Sequence, residues 1–310
     1  MYDESVLPQA TRKLIKEIAE DHIRGASQLF RRTLQVFPQV AEILPASKKQ
    51  ARQILKPLSR ALKNAQPSMA PMVNLAHYVD QMMKNDFDVP VIASAFQAIP
   101  HAVERKLRKE QDAIVREALQ VCAPFKKVLA HSRSSVVEAF LREWACQDDE
   151  REIWISESRP MQEGKMMAQA LSDLTNRIVL LVDDARGLAL NHVDFVIIGA
   201  DRISETHVCN KIGSSSLACL AYQKKIPVIV LAEIIKFAPE SVKLGEESSH
   251  AAAEICEDAP NIEIFNYYFE ECPLNWIDKI VTPLGVKDKN SVQKIFENAS
   301  WDILDIKQSV

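Results

Sequence analysis

The sequence predicts an α/β protein in two parts: an all-α bundle over residues 1–120 and a largely parallel, helix-covered sheet over 121–310. Two patterns and one absence predict it. Residues 8 to about 120 carry apolar side chains at helical spacing with no β-rich run. From Phe125 onward, short continuous apolar runs alternate with helical ones, the signature of parallel strands covered on both faces. Neither GxGxxG nor GxxxxGK[ST] occurs, so the sheet carries no usual dinucleotide or nucleoside-triphosphate site. The 310 residues suit two domains at roughly 150 residues each.

In the first part, ATRKLIKEIAEDHIRGASQLFRRTLQVF places Leu14, Ile18 and His22, then Leu29 and Leu34, on a recurring face. Pro38, Pro45, Pro57, Pro67, Pro71 and Pro90 punctuate the later helical segments. KKQARQILKPLSRALKNA and MVNLAHYVDQMMKN are amphipathic, and a long helix is expected from about Ile92 to Leu119. These make a bundle of about five helices.

In the second part the expected strands are KKVLAH, EIWISES, IVLLVDD, VDFVIIGAD, PVIVLA, IEIFN and KIVTPLG. Between them SSVVEAFLREWACQ, EGKMMAQALSDLTN and GSSSLACLAYQKK read as helices. In such sheets ligands bind beyond the carboxyl ends of the strands. That rule selects five loops: 131–135, 156–164, 183–187, 199–213 and 232–237.

Composition narrows the function. Lys+Arg 38 against Asp+Glu 42 leaves a formal charge of −4, which offers no overall basic footprint for nucleic acid. The 47% hydrophobic content excludes intrinsic disorder. The longest nearly uncharged apolar stretch, from Ile226 to Ile235, is too short to span a bilayer. The start MYDESVLPQA has no cationic stretch followed by an apolar one, so no secretory signal is read there. The expectation is a soluble, cytoplasmic protein with no membrane partner and no direct nucleic-acid partner. The six cysteines form no CxxC pair and no zinc-ligand spacing, so they read as buried thiols with no metal and no cofactor. Glycine is scarce, 7 in 310, so each one present marks a place where the backbone or a ligand requires it.

The loops carry the chemistry. AHSRSS brings His131, Ser132, Arg133 and Ser134 to a helix start, where hydroxyls and free N–H groups either hold phosphate or simply cap the helix. SESRPMQEGK offers Arg159, suited to a bidentate phosphate contact or to a surface ion pair with a neighbour such as Glu157. The strand VDFVIIGA delivers Asp201 to its tip. Burial there raises a carboxylate's pKa, as an acid–base residue needs; the plainer alternative is an Asp that caps a turn. Asn210, Lys211 and Gly213 open the next helix and make an anion seat with its N-terminus, and Lys236 adds a cation after a further strand. Several cations, hydroxyls and one strand-end Asp suit a small phosphorylated ligand.

HSRSS, ESRPMQEGKMMAQAL, VDD, VDFVIIGADRI, NKIGSSSLACLA, IKFAP and NYYFEECPLNWIDKIVTPLG occur in that order. Together they resemble the translation initiation factor 2B alpha/beta/delta subunit superfamily, which includes ribose-1,5-bisphosphate isomerase and methylthioribose-1-phosphate isomerase. The likeness is strong over about residues 120–290, and weaker in the first half through IRGAS and NAQPSMAPMVNLAHYV. It implies a helical N-terminal domain, a Rossmann-like C-terminal domain without bound nucleotide, and a homodimer or larger oligomer built through the C-terminal half. It also implies one of two roles: an aldose–ketose sugar-phosphate isomerase, or a regulatory subunit with a translation-factor partner.

By that resemblance, Asp201 is catalytic, and Arg24, Gly25, Arg159, Asn210 and Lys211 contact a phosphosugar. The isomerases carry a catalytic Cys directly after the first-loop His; here Ser132 stands in its place. Gln66 replaces an expected Arg, and Glu270 and Pro283 depart from the usual Asp and Glu. A thiol can be tuned to act as a base, whereas a serine needs a neighbouring base, such as His131, to activate it. The binding half of the site is thus kept and the reacting half altered.

Overall fold

The computed structural model describes residues 4–21, 26–66, 69–85, 87–239, 247, 249–257 and 261–298. They form two compact units, one reaching Lys109 and the other running from Glu110 to Asn298. The division falls inside a helix.

The first unit contains α1 (Gln9–Ala19), α2 (Ala26–Thr33), α3 (Val36–Ala41), α4 (Lys48–Ala65), α5 (Ala70–Lys84) and the beginning of α6 (Val89–Val121). Its apolar stripes meet in a core that includes Ile18, Phe30, Phe37, Leu58 and Phe96, all buried. Phe37 and Phe96 pack edge to face, with ring centroids 5.0 Å apart. Pro57 lies inside α4 rather than ending it, and Pro71 sits in the first turn of α5, where its missing N–H costs nothing.

The second unit holds β1 (Lys127–Ala130), α7 (Ser135–Cys146), β2 (Glu152–Ser156), α8 (Glu163–Ala170), β3 (Arg177–Leu181), α9 (Arg186–Ala189) and β4 (Phe195–Ile198). It continues through β5 (Arg202–Ile203), β6 (His207–Lys211), α10 (Ser214–Gln223), β7 (Val228–Leu231), β8 (Phe269–Pro273), β9 (Lys279–Thr282), β10 (Gly285–Lys287) and α11 (Lys289–Asn298). Seven strands make one sheet in the order β10-β9-β7-β4-β1-β2-β3. All pair parallel except β10, which folds back antiparallel on β9. The parallel, helix-covered sheet expected from the alternation, and the Rossmann-like domain that the resemblance implies, are therefore present.

Two-residue periodicity divides the apolar side chains between two cores. Val128, Ala130, Ile153, Ile155, Phe195 and Ile197 pack with α7 and the last turns of α6. Leu129, Val196, Ile198, Val228 and Val230 pack with α9 and α10. Buried on both faces, these strands read as unbroken apolar runs.

Three features differ from the sequence reading. β5, β6 and β8 form a separate antiparallel sheet, so Asn210 and Lys211 end a strand, and the helix begins only at Ser214. Residues 262–266, expected as a strand, are a loop; β8 comes after it at Phe269–Pro273. The thiols divide: Cys122, Cys209 and Cys272 are buried, Cys219 is partly exposed, and Cys146 and Cys256 lie at the surface. Among the described residues no His, Cys, Asp or Glu group is arranged to hold a metal, and no helix is long and apolar enough to cross a membrane.

Candidate functional site

The strand order runs outward from β1 in one direction and from β4 in the other, so the crevice between their carboxyl ends is the topological switch point. The loops that leave those ends, 131–135 and 199–201, touch there. A Cβ on Gly199 would come within 2.7 Å of Ser134 Cβ, so only glycine lets the two loops approach this closely.

His131 is buried, and both of its ring nitrogens are engaged. Nε2 lies 2.9 Å from the Ile212 carbonyl oxygen, which can only accept, so Nε2 carries the proton. Nδ1 then accepts from the Ser156 hydroxyl at 2.7 Å. Burial, reinforced by the Arg186 guanidinium 3.4 Å away, pushes the ring down to about 4, so it is neutral at pH 7. His131 thus pins the β1 loop to β2 and to the α10 loop.

Ser132 adopts a left-handed backbone, φ 66°, as do Ser158 at φ 64° and Gln162 at φ 57°. Non-glycine residues held this way cost roughly 1–2 kcal/mol each and cluster where a site over-determines the backbone. The Ser132 N–H donates to Ser158 Oγ at 2.8 Å, and its hydroxyl points to Glu163 Oε1 at 3.4 Å. Arg133, in the loop before α7, reaches Glu138 in the first turn of that helix at 3.0 Å. Ser134 is the N-cap of α7 and makes no side-chain capping bond.

Asp201 lies just beyond β4, and its N–H donates to the Cys209 carbonyl oxygen at 2.9 Å. Burial pushes its carboxyl above the ordinary range, against the pull of Lys236, whose Nζ stands 3.8 Å away, and of Lys211. Both lysines are buried. Lys211 Nζ lies 2.8 Å from Glu163 Oε1 and 4.7 Å above the Tyr268 ring. Asn210 is buried and donates to Ser214 Oγ at 2.9 Å, which fixes the turn into α10. Gly213, at φ 97°, is the α10 N-cap. A carboxylate already holds that helix end: Glu270 Oε1 accepts from the Gly213 N–H at 2.6 Å and the Ser215 N–H at 2.8 Å. Arg159 is exposed at the rim, its N–H held by Asp183 Oδ2 at 2.7 Å and its guanidinium 3.3 Å from the Glu254 carbonyl oxygen.

The structure thus gathers His131, Ser132, Asp201, Lys211 and Lys236 at one strand-end crevice, with Arg159 at its rim. Arg133 and Asn210 spend their visible bonds locally. Arg24 and Gly25 lie outside the described residues. Gln66 uses its amide in the first unit, donating to the Ile18 and Asp21 carbonyl oxygens at 2.8 and 3.4 Å.

Sequence reasoning missed Glu163 and Arg186. Glu163 reads as an ordinary acidic residue in the first turn of a helix; only the fold turns it toward Ser132 and Lys211. Arg186 donates to the Asp183 carbonyl oxygen at 2.7 Å and the Gly213 carbonyl oxygen at 2.9 Å, tying loop 183–187 to loop 199–213. Carboxylates paired with buried ammonium groups, beside a hydroxyl, can hold polyol oxygens and exchange protons.

The sequence pattern of the Initiation factor 2 subunit family matches residues 22–289. A Pyrococcus furiosus protein described as translation initiation factor eIF-2B subunit 2-like is 28% identical, over 91% of this chain and 97% of its own. Ribose 1,5-bisphosphate isomerase of Methanocaldococcus jannaschii is 25% identical, over 88% of this chain and 91% of its own. Among solved structures, Pyrococcus horikoshii translation initiation factor eIF-2B shares the fold at TM-score 0.73 and 24% identity, covering 90% of this chain and 97% of its own. The 5-methylthioribose 1-phosphate isomerase of the same organism shares it at TM-score 0.71 and 21% identity, covering 93% and 88%. With a match across most of its length, the chain belongs to the Initiation factor 2 subunit family.

Proposed function

We propose that the protein binds a small phosphorylated sugar at the crevice between β1 and β4, in a site of the aldose-1-phosphate isomerase type. The observation that carries this reading is the sheltered Asp201, 15% exposed, at the end of β4 with the buried Lys236 at 3.8 Å. A buried acid beside fixed cations suits a polar, anionic ligand whose ring oxygen needs a proton. Relatives named ribose 1,5-bisphosphate isomerase and a structural neighbour named 5-methylthioribose 1-phosphate isomerase support the substrate class. Arg159, Lys211, Lys236 and the start of α10 are the phosphate-binding candidates. At α10 the phosphate competes with Glu270 for the Gly213 and Ser215 N–H groups.

A second reading is favoured by the match to an eIF-2B subunit 2-like protein over nearly its whole length. In it the same crevice senses a sugar phosphate or nucleotide, and the protein, a cytoplasmic homodimer or larger oligomer, regulates a translation factor. The two readings share the ligand and differ in turnover.

The test is a thermal-shift series with ribose 1,5-bisphosphate, methylthioribose 1-phosphate and nucleoside monophosphates. A ligand at a hundred times its dissociation constant adds about 2.7 kcal/mol of stability, a rise of several degrees at least. Lys211→Ala is expected to remove that rise. No shift with any of these ligands overturns both readings.

A further inference from the structure

Ser132 leaves the site without an evident proton acceptor. His131 cannot activate it, since its nitrogens are taken by Ser156 and Ile212. The group that does face the Ser132 hydroxyl is Glu163, at 3.4 Å. Its Oε1 is shared between Ser132 and Lys211, while its Oε2 is buried and has no hydrogen-bond partner. A carboxylate oxygen sheltered from water and left unsatisfied is costly, and such exceptions in a folded protein call for a reason.

We propose that Glu163 is the proton acceptor of this site, using its unpartnered Oε2 to take the proton from C2 of a bound aldose 1-phosphate. This rests on reading the crevice as an aldose 1-phosphate site. The C2–H bond breaks, and its proton goes to Glu163. The released pair forms the C1=C2 bond as the bond from C1 to the ring oxygen breaks, and that oxygen takes a proton from the Asp201 carboxyl. The resulting enol then loses its C2 hydroxyl proton to Asp201 and becomes a carbonyl, while Glu163 returns its proton to C1. Both carboxyls end as they began, and no oxidant or reductant is needed.

The two carboxyls are set apart by their cations. Burial raises both, but Lys211 stands 2.8 Å from Glu163, and Lys236 stands 3.8 Å from Asp201. Lys211, within hydrogen-bond distance of Glu163, pulls it toward its ionised, accepting form, while Asp201, raised by its burial, has Lys236 at 3.8 Å and the weaker pull of Lys211. Environments that separate two titratable groups in this way are how acid and base roles are assigned. Glu163 also sits on a rigid support. It is the first residue of α8, and a Cβ on the adjoining Gly164 would collide with the Ser156 carbonyl oxygen, so the helix start lies directly against the end of β2.

The experiment compares wild type with Glu163→Gln, which keeps the shape and still accepts from Lys211. Conversion of ribose 1,5-bisphosphate or methylthioribose 1-phosphate is followed by NMR in D2O, binding by thermal shift, and folding by circular dichroism. Wild type is expected to convert one of them, with the C2 hydrogen carried to C1 and little deuterium entering there. Glu163→Gln is expected to stay folded and keep the thermal shift while losing about 10²-fold or more of the conversion. Conversion by Glu163→Gln within about threefold of wild type overturns the proposal, because a positioned base is worth far more than that. So does a wild type that binds but is inert until Ser132→Cys, an outcome that leaves the phosphosugar-binding reading standing. A wild type that binds no sugar phosphate removes both.

Discussion

His131 shows how a residue at the centre of a site can be committed to holding the site together. Its ring is buried between Ser156, Ile212 and Arg186, and it is held neutral with its pKa pushed down to about 4. In the unfolded chain the same ring titrates near 6.5. A proton therefore binds the unfolded state preferentially between about pH 6.5 and 4, and in that window stability falls as the pH falls. Above pH 6.5 the contribution is fully present; across the window up to roughly 3 kcal/mol is lost. Urea midpoints for wild type and His131→Asn, measured at pH 7 and pH 4.5, check this. The variant is expected to be weaker at pH 7 and to lose less on acidification. Equal acid sensitivity in the two proteins would place the buried proton elsewhere.

Among the elements, α8 matters most for the site, and glycine sets its position. Gly164 lets the helix start abut the Ser156 carbonyl, and its N–H donates to the Glu157 carbonyl oxygen at 3.1 Å. A methyl group there must move backbone, which cannot yield as a flexible side chain would. Gly164→Ala is expected to cost about 3 kcal/mol or more, read from the urea midpoint, and to weaken sugar-phosphate binding by displacing Glu163. A stable Gly164→Ala protein with unchanged binding would show that α8 shifts freely.

The sequence made β1–β4, β7 and β9 legible because each is an apolar run bounded by turn residues; of these, only the edge strand β3 is left largely unburied. It concealed β5, β6 and β8 because RI, HVCNK and FEECP are only two to five residues long and carry neither an apolar run nor a polar–apolar alternation. At the site, Asp201 and Lys211 were visible as charged residues abutting apolar strands or helix starts. Glu163 was not, because an acidic residue in a first helical turn is also what the helix dipole alone would favour. Only the seating of the α8 start against the end of β2, which brings Glu163 to Ser132 and Lys211, distinguishes the two.

Over the whole molecule, the surface of the second unit carries more large apolar groups than its fold can bury. Phe265 is 78% exposed and Ile262 is 65% exposed, both in the loop before β8, where Phe265 leans on Tyr267 with ring centroids 4.4 Å apart. Fully burying a side chain of this size is worth about 1.5–3 kcal/mol, so covering the two gives about 3–6 kcal/mol per protomer, which offsets part of the rotational and translational loss and leaves the rest to the surrounding interface. A formal charge of −4 on 310 residues opposes self-association only weakly. A homodimer or larger oligomer built through this half is therefore expected, with light scattering at micromolar concentration giving at least twice the 34.9 kDa of one chain. Replacing both residues, Ile262→Ser with Phe265→Ser, is expected to shift the mass toward one chain while the far-ultraviolet spectrum stays unchanged, since neither side chain contributes to a core. A monomeric wild type overturns the association itself. An oligomer indifferent to the double substitution moves its interface to another face of the same unit, where Leu188 at 70% exposure and Tyr222 at 58% are the next groups to replace.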